Sequence, residues 1–295
     1  MSWNERIIKE FRENNGKVGG MFEGAPMVVL TTAGRRTGKP HTTPAVHLYD
    51  DGRYLVFASN AGGPEHPDWY LNLVASPQVT VETGTDEGRV KPFAARAVVL
   101  EGEERDRLYE RQCAVDPAFR EYQRKTDRII PVVALYPLDL AGDEERNRMI
   151  GRQLIAHHDE LRAEIAEVRA AVESALNGGA ADRPGADLAR QLHRRCLGFC
   201  YGLQMHHTRE DGAFTAFERQ FPHLVPAVTR LREEHRTVER ALARLEELLE
   251  RGPASDGGDV AALRAEVDGV IDGLEEHFAY EEEHLLPALD VRRPS

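Results

Sequence analysis

Two pairs of residues in the second half of the chain have the types and the spacing of metal ligands. His206 and Glu210 lie four positions apart, and so do His277 and Glu281. Residues at i and i+4 lie on one face of a helix, so each pair can present an imidazole and a carboxylate to one point. With one inward-facing histidine from each remaining predicted helix, the candidate ligands for two iron or manganese ions are His158, His206, Glu210, His235, His277 and Glu281.

Neighbouring histidines leave the register of this set ambiguous at the doublets His157-His158 and His206-His207. The i, i+4 rule prefers His206 to His207, and the spacing in the family resemblance given below prefers His158. A single histidine is more often a core or surface residue than a ligand, but nine of the twelve histidines fall in this half. Other acidic side chains are expected behind the ligands or at the surface, namely Asp159, Asp211 and Glu282.

A second candidate site is the basic stretch from Val28 to Pro44, which reads VVLTTAGRRTGKPHTTP. Arg35, Arg36 and Lys39 place three positive charges within five residues, between two extended runs. Like charges this close repel one another, and a bound phosphate or carboxylate would offset the repulsion while arginine and backbone N–H groups donate to it. The alternative is a solvated hairpin tip with ordinary surface charge.

The elements around the basic stretch have the alternation of a β-meander. Asp50-Asp51-Gly52 is a strong hairpin signal between the second and third runs. Few helices interrupt the strands, so residues 1–140 are predicted to form a small β-barrel or open roll whose mouth can hold a ligand. The predicted strands are Met27–Thr31, Pro44–Tyr49, Arg53–Ser59, Gln78–Thr83, Lys91–Leu100 and Ile130–Tyr136.

The second half changes to a helical period and contains almost no strand signal. Stretches rich in glycine and proline separate long amphipathic runs, which predicts an all-α up-and-down four-helix bundle over residues 145–291. The predicted helices are Glu145–Leu176, Ala186–Arg219, Val225–Arg251 and Asp259–Leu289.

Composition narrows the classes of function. A formal net charge of -12 over 295 residues argues against a general nucleic-acid binder. No run of eighteen apolar residues and no signal-peptide core occur, so a cytoplasmic location is expected. The amphipathic start from Trp3 to Phe11 packs on its own domain or, at most, makes a peripheral contact with the inner face of the plasma membrane. The oligomeric state, including a homodimer, stays open.

Four ordered segments of the first half carry a family resemblance: Gly19-Gly20, LTTAGRRTGKP, VFASNAGGPEHPDWYLNL and YQRKTDRIIPVV. They resemble the deazaflavin-dependent nitroreductase and quinone reductase family, which has the FMN-binding split β-barrel fold. The resemblance implies that reduced coenzyme F420 donates a hydride to a quinone, nitro or enone acceptor. Flavin mononucleotide, which related split barrels use, is the alternative occupant.

Residue roles follow from this resemblance by position. Arg35, Arg36 and Thr37 would hold the coenzyme phosphate, and Ser59 and Tyr122 would be catalytic polar groups on the acceptor side. The implied lining consists of His41, Thr42, Thr43, Pro44, Ala45, Val46, Phe57, Ala58, Ser59, Asn60, Asp68, Trp69, Tyr70, Leu71 and Asn72.

The second half resembles the hemerythrin-like HHE domains through AHHDELR, HHTRED, EEHRTVE and HFAYEEEHLLP, in that order. This resemblance implies two non-haem iron ions, with manganese as the alternative, and a role in binding oxygen, sensing it or handling iron. The whole chain is therefore expected to be an F420H2-dependent oxidoreductase fused to a diiron bundle. The alternatives are a non-catalytic oxygen or iron sensor with a ligand-binding barrel, and an FMN-dependent oxidase.

Overall fold

The computed structural model describes residues 2–177, 186–251 and 258–293. The chain divides into two compact units, one of Met1–Asp139 with Thr208–Ala216 and one of Leu140–His207 with Phe217–Ser295. Among the described residues, no helix has the length and apolar character needed to cross a membrane.

The first unit contains a closed β-barrel, which confirms the predicted fold class. Neighbouring strands follow the order β1-β2-β3-β6-β5-β4, and antiparallel pairing of β1 with β4 closes the barrel. The strands are β1 (Met27–Ala33), β2 (Pro40–Asp50), β3 (Arg53–Phe57), β4 (Gln78–Gly84), β5 (Val90–Leu100) and β6 (Val132–Pro137).

The hairpin between β2 and β3 is the turn that the sequence predicts. Asp51 has φ of 47° and Gly52 has φ of 78°, as a tight primed turn requires. Several strand limits differ from the prediction, and those of β2 and β3 affect predicted site residues. β2 begins at Pro40 rather than Pro44, because a proline is tolerated as the first residue of a strand. β3 ends at Phe57, so Ser59 lies in a loop rather than in the strand.

Four helices accompany the barrel strands: α1 (Trp3–Glu13), α2 (Asp68–Ala75), α3 (Gly102–Val115) and α4 (Ala118–Arg124). Helix α1 begins with a capping box in which Ser2 accepts from the Glu5 N–H and the Glu5 carboxylate accepts from the Ser2 N–H. Its buried residues Ile8 and Phe11 join a core cluster with Met27 of β1. The apolar stripe of α1 therefore packs on its own unit.

Four long helices form the C-terminal region, as predicted: α5 (Glu144–Asn177), α6 (Ala186–Gln220), α7 (Val225–Arg251) and α8 (Gly258–Leu285). Their shared core includes Leu161, Phe199, Leu242, Leu274 and Phe278. Helix α8 ends before the predicted Leu289, because Pro287 lacks an N–H donor and disfavours helical geometry at the preceding residue.

Candidate metal and cofactor sites

Buried histidines and glutamates from all four long helices converge inside the bundle. One group contains His158, His206, Glu210 and Glu281, and the other contains His207, Glu210, His235 and His277. In each group, one ligand atom per residue lies within 4.8 Å of the corresponding atoms of the other members. Glu210 belongs to both groups, which is the arrangement of a carboxylate that bridges two metal ions.

Short contacts connect the members within each group. His158 Nε2 lies 3.3 Å from Glu281 Oε2 in the first group. In the second group, His235 Nε2 lies 3.2 Å from His277 Nε2, and the ring of His207 stacks on that of His235 at a centroid distance of 4.1 Å. The Nε2 atoms of His235 and His277 thus face each other at a distance close enough for one ion to take both as ligands.

Glu281 provides the test of whether this arrangement fits a metal pair. Its side chain is completely buried, and neither carboxylate oxygen makes a hydrogen bond within the described chain. A carboxylate in an apolar core is costly unless a cation or hydrogen-bond donors compensate its charge. Imidazole and carboxylate donors suit iron and manganese, so the residues present fit a pair of such ions.

A second layer of carboxylates fixes two of the histidines from behind. Glu282 Oε1 lies 2.8 Å from His158 Nδ1, and Glu234 Oε2 lies 2.8 Å from His277 Nδ1. Both glutamates therefore leave the Nε2 atom of the ring directed at the metal groups. Such carboxylate–histidine pairs set the tautomer and the orientation of a ligand ring.

Arginines hold the two supporting glutamates in different ways. Arg162 and Arg293 donate to Glu282 at 3.1 and 2.6 Å, whereas Arg230 donates to Glu234 at 2.7 Å. Burial raises the pKa of Glu282, but hydrogen bonds from His158 and Arg293 and the charge of Arg162 outweigh it and bring that pKa to about 2. The pKa of Glu234 is lowered as well, because bonds from His277 and Arg230 outweigh the raising effect of burial.

All six metal ligands predicted from the sequence lie in these two groups: His158, His206, Glu210, His235, His277 and Glu281. Ligation itself stays a prediction. His207 was missed, because the sequence argument chose one histidine from the doublet. In the structure His206 belongs to one group and His207 to the other. His207 and Glu210 lie three residues apart on one helix face, and this spacing is the sequence signal that identifies His207 as a further candidate ligand.

In the barrel, residues 34–39 of the basic stretch form the turn between β1 and β2. Gly34 closes it, with its N–H donating to the Lys39 carbonyl at 2.9 Å and its carbonyl accepting from Gly38 at 2.8 Å. A Cβ atom at Gly34 would lie 2.8 Å from the His41 ring and 3.1 Å from the Lys39 carbonyl oxygen, so the turn leaves little room for a side chain at this position. Arg36 and Thr37 are exposed at the tip, and Arg36 forms no ion pair among the described residues.

The turn is attached to helix α2. The Arg35 N–H donates to Asn72 Oδ1 at 3.1 Å, and Asn72 Nδ2 donates to Thr32 Oγ1 at 3.2 Å. The Arg35 guanidinium also donates to Asp68 at 2.9 Å. These contacts bring Arg35, a predicted phosphate-binding residue, together with Asp68 and Asn72, which are predicted lining residues on α2.

Ser59 and Tyr122 belong to a second assembly, which Arg128 organises. Its guanidinium donates to the carbonyls of Ala58 at 3.0 Å and Ser59 at 2.7 Å, and its Nε donates to that of Gly63 at 3.0 Å. Burial lowers the pKa of this guanidinium. The sequence argument missed Arg128, although it lies within the segment YQRKTDRIIPVV that carries the resemblance.

The loop held by Arg128 packs tightly on α4. Asn60, Ala61 and Gly62 all have positive φ, of 48°, 51° and 82°, and the first two are strained positions for L residues. A Cβ atom at Gly62 would approach the Tyr122 carbonyl oxygen to 2.8 Å. The loop that carries Ser59 is thus pressed against the helix that carries Tyr122.

The remaining predicted lining residues differ in burial. Phe57, Ala58, Trp69 and Asn72 are buried, and the first three belong to core clusters. Asp68, Asn60 and His41 are exposed. The other lining residues are partly buried: Thr42, Thr43, Pro44, Ala45, Val46, Ser59, Tyr70 and Leu71. Their contact with a coenzyme stays a prediction.

Comparisons with known proteins assign both halves. The family described as F420H(2)-dependent quinone reductase matches residues 3–137, and the hemerythrin HHE cation binding domain matches residues 149–289. An F420H(2)-dependent quinone reductase of Mycobacterium tuberculosis (strain ATCC 25618 / H37Rv) is 35% identical over 129 residues, which are 42% of this chain and 83% of that protein.

Two further proteins are similar to the first half of the chain. A putative F420H(2)-dependent quinone reductase of the same strain is 34% identical over 118 residues, covering 40% of this chain and 95% of that protein. A solved structure of an F420-H2 dependent reductase, FDR-A, is 40% identical and covers 37% of this chain and 93% of that chain, with a TM-score of 0.33. The chain thus belongs to the F420H(2)-dependent quinone reductase family, and its residues 149–289 match the model of the hemerythrin HHE cation binding domain.

Proposed function

We propose that the chain is a reductase that uses reduced coenzyme F420 to reduce a quinone, and that its bundle binds two non-haem iron ions. Family membership over the first half supports the reductase. Seven buried candidate ligands form two groups that have Glu210 in common, which supports the metal pair. The bound coenzyme would supply a hydride, and the metal pair would supply a site for oxygen. Nitro and enone compounds are further candidate acceptors, and manganese is a further candidate metal.

In the barrel, the proposal gives separate tasks to the turn and to the loop. Arg36 and Thr37 would bind the coenzyme phosphate at the exposed tip, with the backbone N–H groups of the turn as further donors. Arg35, held by Asp68, would keep its guanidinium beside that phosphate.

Ser59 and Tyr122 would act on the acceptor. A hydroxyl donor can hydrogen-bond a quinone carbonyl oxygen, stabilise the negative charge that develops there and then give it a proton. Ser59 lies on the loop whose carbonyls Arg128 binds, and Gly62 of this loop lies close to the backbone of Tyr122 on α4. Their backbones are therefore fixed before any substrate arrives, which reduces the entropy lost on binding.

A steady-state assay tests the reductase directly. The full chain should oxidise reduced F420 in the presence of menadione, and Tyr122→Phe should lower the turnover number more than it lowers coenzyme affinity. No turnover with any quinone, nitro or enone acceptor would contradict the proposal. That result would favour the second candidate, an oxygen or iron sensor, which the buried ligand groups support independently of the barrel.

Elemental analysis tests the metal pair. The purified chain, loaded with ferrous iron and desalted, should retain two ions per chain. A yellow protein with bound flavin mononucleotide would instead indicate an oxidase and would contradict the assignment of F420.

A further inference from the structure

The metal groups contain one feature that ligand identity alone does not explain. Two of the candidate ligands, His158 and His277, have a glutamate behind the ring at the same distance of 2.8 Å from Nδ1. The two histidines belong to different groups, and the two glutamates come from different helices. Each group therefore has its own support, although Glu210 is common to both.

The support of His158 is buried and held at several points. The Glu282 side chain is 8% exposed, and its Oε1 atom accepts from Arg162 at 3.1 Å and from Arg293 at 2.6 Å. Both arginines also contact Asp159, which lies beside His158 in the chain. The ring of His158 further stacks on Phe278 at a centroid distance of 4.4 Å. This ring is fixed from two sides.

The support of His277 is more open. The Glu234 side chain is 28% exposed, and its other oxygen accepts from Arg230, which is itself 53% exposed. The Arg230 guanidinium lies 3.8 Å from the centre of the Tyr280 ring. Arg230 and Tyr280 thus restrain Glu234 from the surface of the bundle, and solvent weakens this ion pair more than it weakens the buried one.

We infer that Glu282 and Glu234 are positioning residues, each for a different metal ion of the pair. Each glutamate accepts the Nδ1 proton of its histidine and so keeps Nε2 deprotonated and directed at one ion. Because the supports are separate, loss of one weakens the hold on one ion and leaves the other in place. This inference rests on the proposed metal binding of the bundle.

Metal retention tests the inference without any assay of activity. The full chain is loaded with ferrous iron, challenged with a chelator in excess, and sampled for iron per chain over time. Glu282→Gln should release one ion about tenfold to a hundredfold faster than the unchanged chain, and so should Glu234→Gln. The double variant should release both ions faster. Glu239→Gln on α7 and Glu283→Gln on α8, both exposed, are matched controls that should behave as the unchanged chain.

Milder variants cover the case in which a glutamine variant fails to fold. Arg293→Ala and Arg230→Ala each remove one arginine behind a glutamate, at positions that are partly exposed. Each should accelerate the loss of one ion, by less than the corresponding glutamine variant. The two together should again accelerate the loss of both ions.

The following results would overturn the inference, and they distinguish its failure from failure of the proposed function. If the unchanged chain keeps two ions and the single variants accelerate the loss of both ions equally, or of neither, the separate supports do not exist. The same holds if the double variant accelerates only one ion. If the unchanged chain keeps fewer than two ions after loading, the proposed metal pair fails together with the inference.

Discussion

The two halves of this chain differ in how much their candidate sites depend on a ligand. In the bundle, the candidate ligands are buried, and Glu281 has no hydrogen-bond partner for either oxygen within the described residues. In the barrel, Arg36 lies at an exposed tip where water solvates its charge. A buried cluster of charge needs a compensating ion, whereas a surface cluster is tolerated with or without one. The cost of burying charge therefore supports the metal pair, whereas family membership supports the coenzyme.

The largest expected effect is the loss of bundle stability when metal is removed. Removing metal from the full chain leaves the Glu281 carboxylate buried without a cation, at a cost of about 3–5 kcal/mol. The midpoint of thermal unfolding of the helices should fall by about 10 °C on chelation, followed by circular dichroism. In the metal-free chain, Glu281→Gln should recover part of this loss, because an amide is less costly to bury than an isolated charge.

The barrel supplies the internal control for that measurement. The two tryptophans, Trp3 and Trp69, both lie in the first half, so their fluorescence reports barrel unfolding alone. Chelation should lower the fluorescence midpoint less than the circular dichroism midpoint, because only Thr208–Ala216 of the long helices, the segment that contains Glu210, belongs to the barrel unit. Equal midpoints by circular dichroism with and without metal would show that the buried carboxylates need no ion.

The next effect concerns the pH dependence of the barrel. Burial lowers the pKa of His47 from 6.5 to about 4, against a smaller raising effect of the Pro26 backbone. Below pH 6.5 the unfolded chain binds a proton that the folded chain excludes, so stability falls as pH drops towards 4. The total loss is about 3 kcal/mol, measured by tryptophan fluorescence in denaturant.

Variants at histidine positions isolate this contribution. His47→Gln should remove most of the slope of barrel stability between pH 6.5 and pH 4, and His41→Gln, at an exposed histidine, should retain it. A slope that is unchanged in His47→Gln would assign the acid sensitivity to other groups.

A smaller effect is expected at Arg128, which holds the loop that carries Ser59. Arg128→Ala removes the donor to three backbone carbonyls and should destabilise the barrel by about 2 kcal/mol. Turnover should fall further than the coenzyme affinity, because Ser59 is proposed to act on the acceptor, whereas the basic turn is proposed to bind the coenzyme phosphate. Arg128→Lys, which keeps the charge but loses the guanidinium geometry, should remain defective. Normal turnover in the alanine variant would contradict a positioning role.

The smallest expected effects are those of arginine variants in the turn between β1 and β2. Arg36→Ala should weaken binding of F420 about tenfold, since one charged hydrogen bond is lost, and should leave barrel stability unchanged. Arg35→Ala should weaken binding and also cost up to about 1 kcal/mol of stability through loss of its pair with Asp68. Titration of the coenzyme measures both, with the exposed Arg107→Ala as the control. Unaltered affinity in both variants would contradict the phosphate role of the turn.

Elements with local signals were predictable from the sequence. The Asp50-Asp51-Gly52 hairpin and the long helical periods depend on neighbours in the chain, and their structures match. Barrel closure was not specified locally, because β1 pairs with β4 across about 50 residues of chain and only tertiary packing selects that partner.

The candidate sites show the same division. The i, i+4 spacing predicted four of the candidate ligands, His206, Glu210, His277 and Glu281, because helical geometry places residues at this spacing on one face. His207 was missed for lack of a rule that assigns both members of a doublet. Glu234 and Arg128 act through contacts with residues 43 and 65–70 positions away, and no sequence period reports such contacts.

The shared position of Glu210 is the central claim about the bundle, and iron content per chain tests it most directly. After loading with ferrous iron and desalting, the unchanged chain should carry two ions, and Glu210→Ala should carry none, because both groups lose a ligand. Retention of two ions by Glu210→Ala would contradict the account, and retention of one would place Glu210 in a single group.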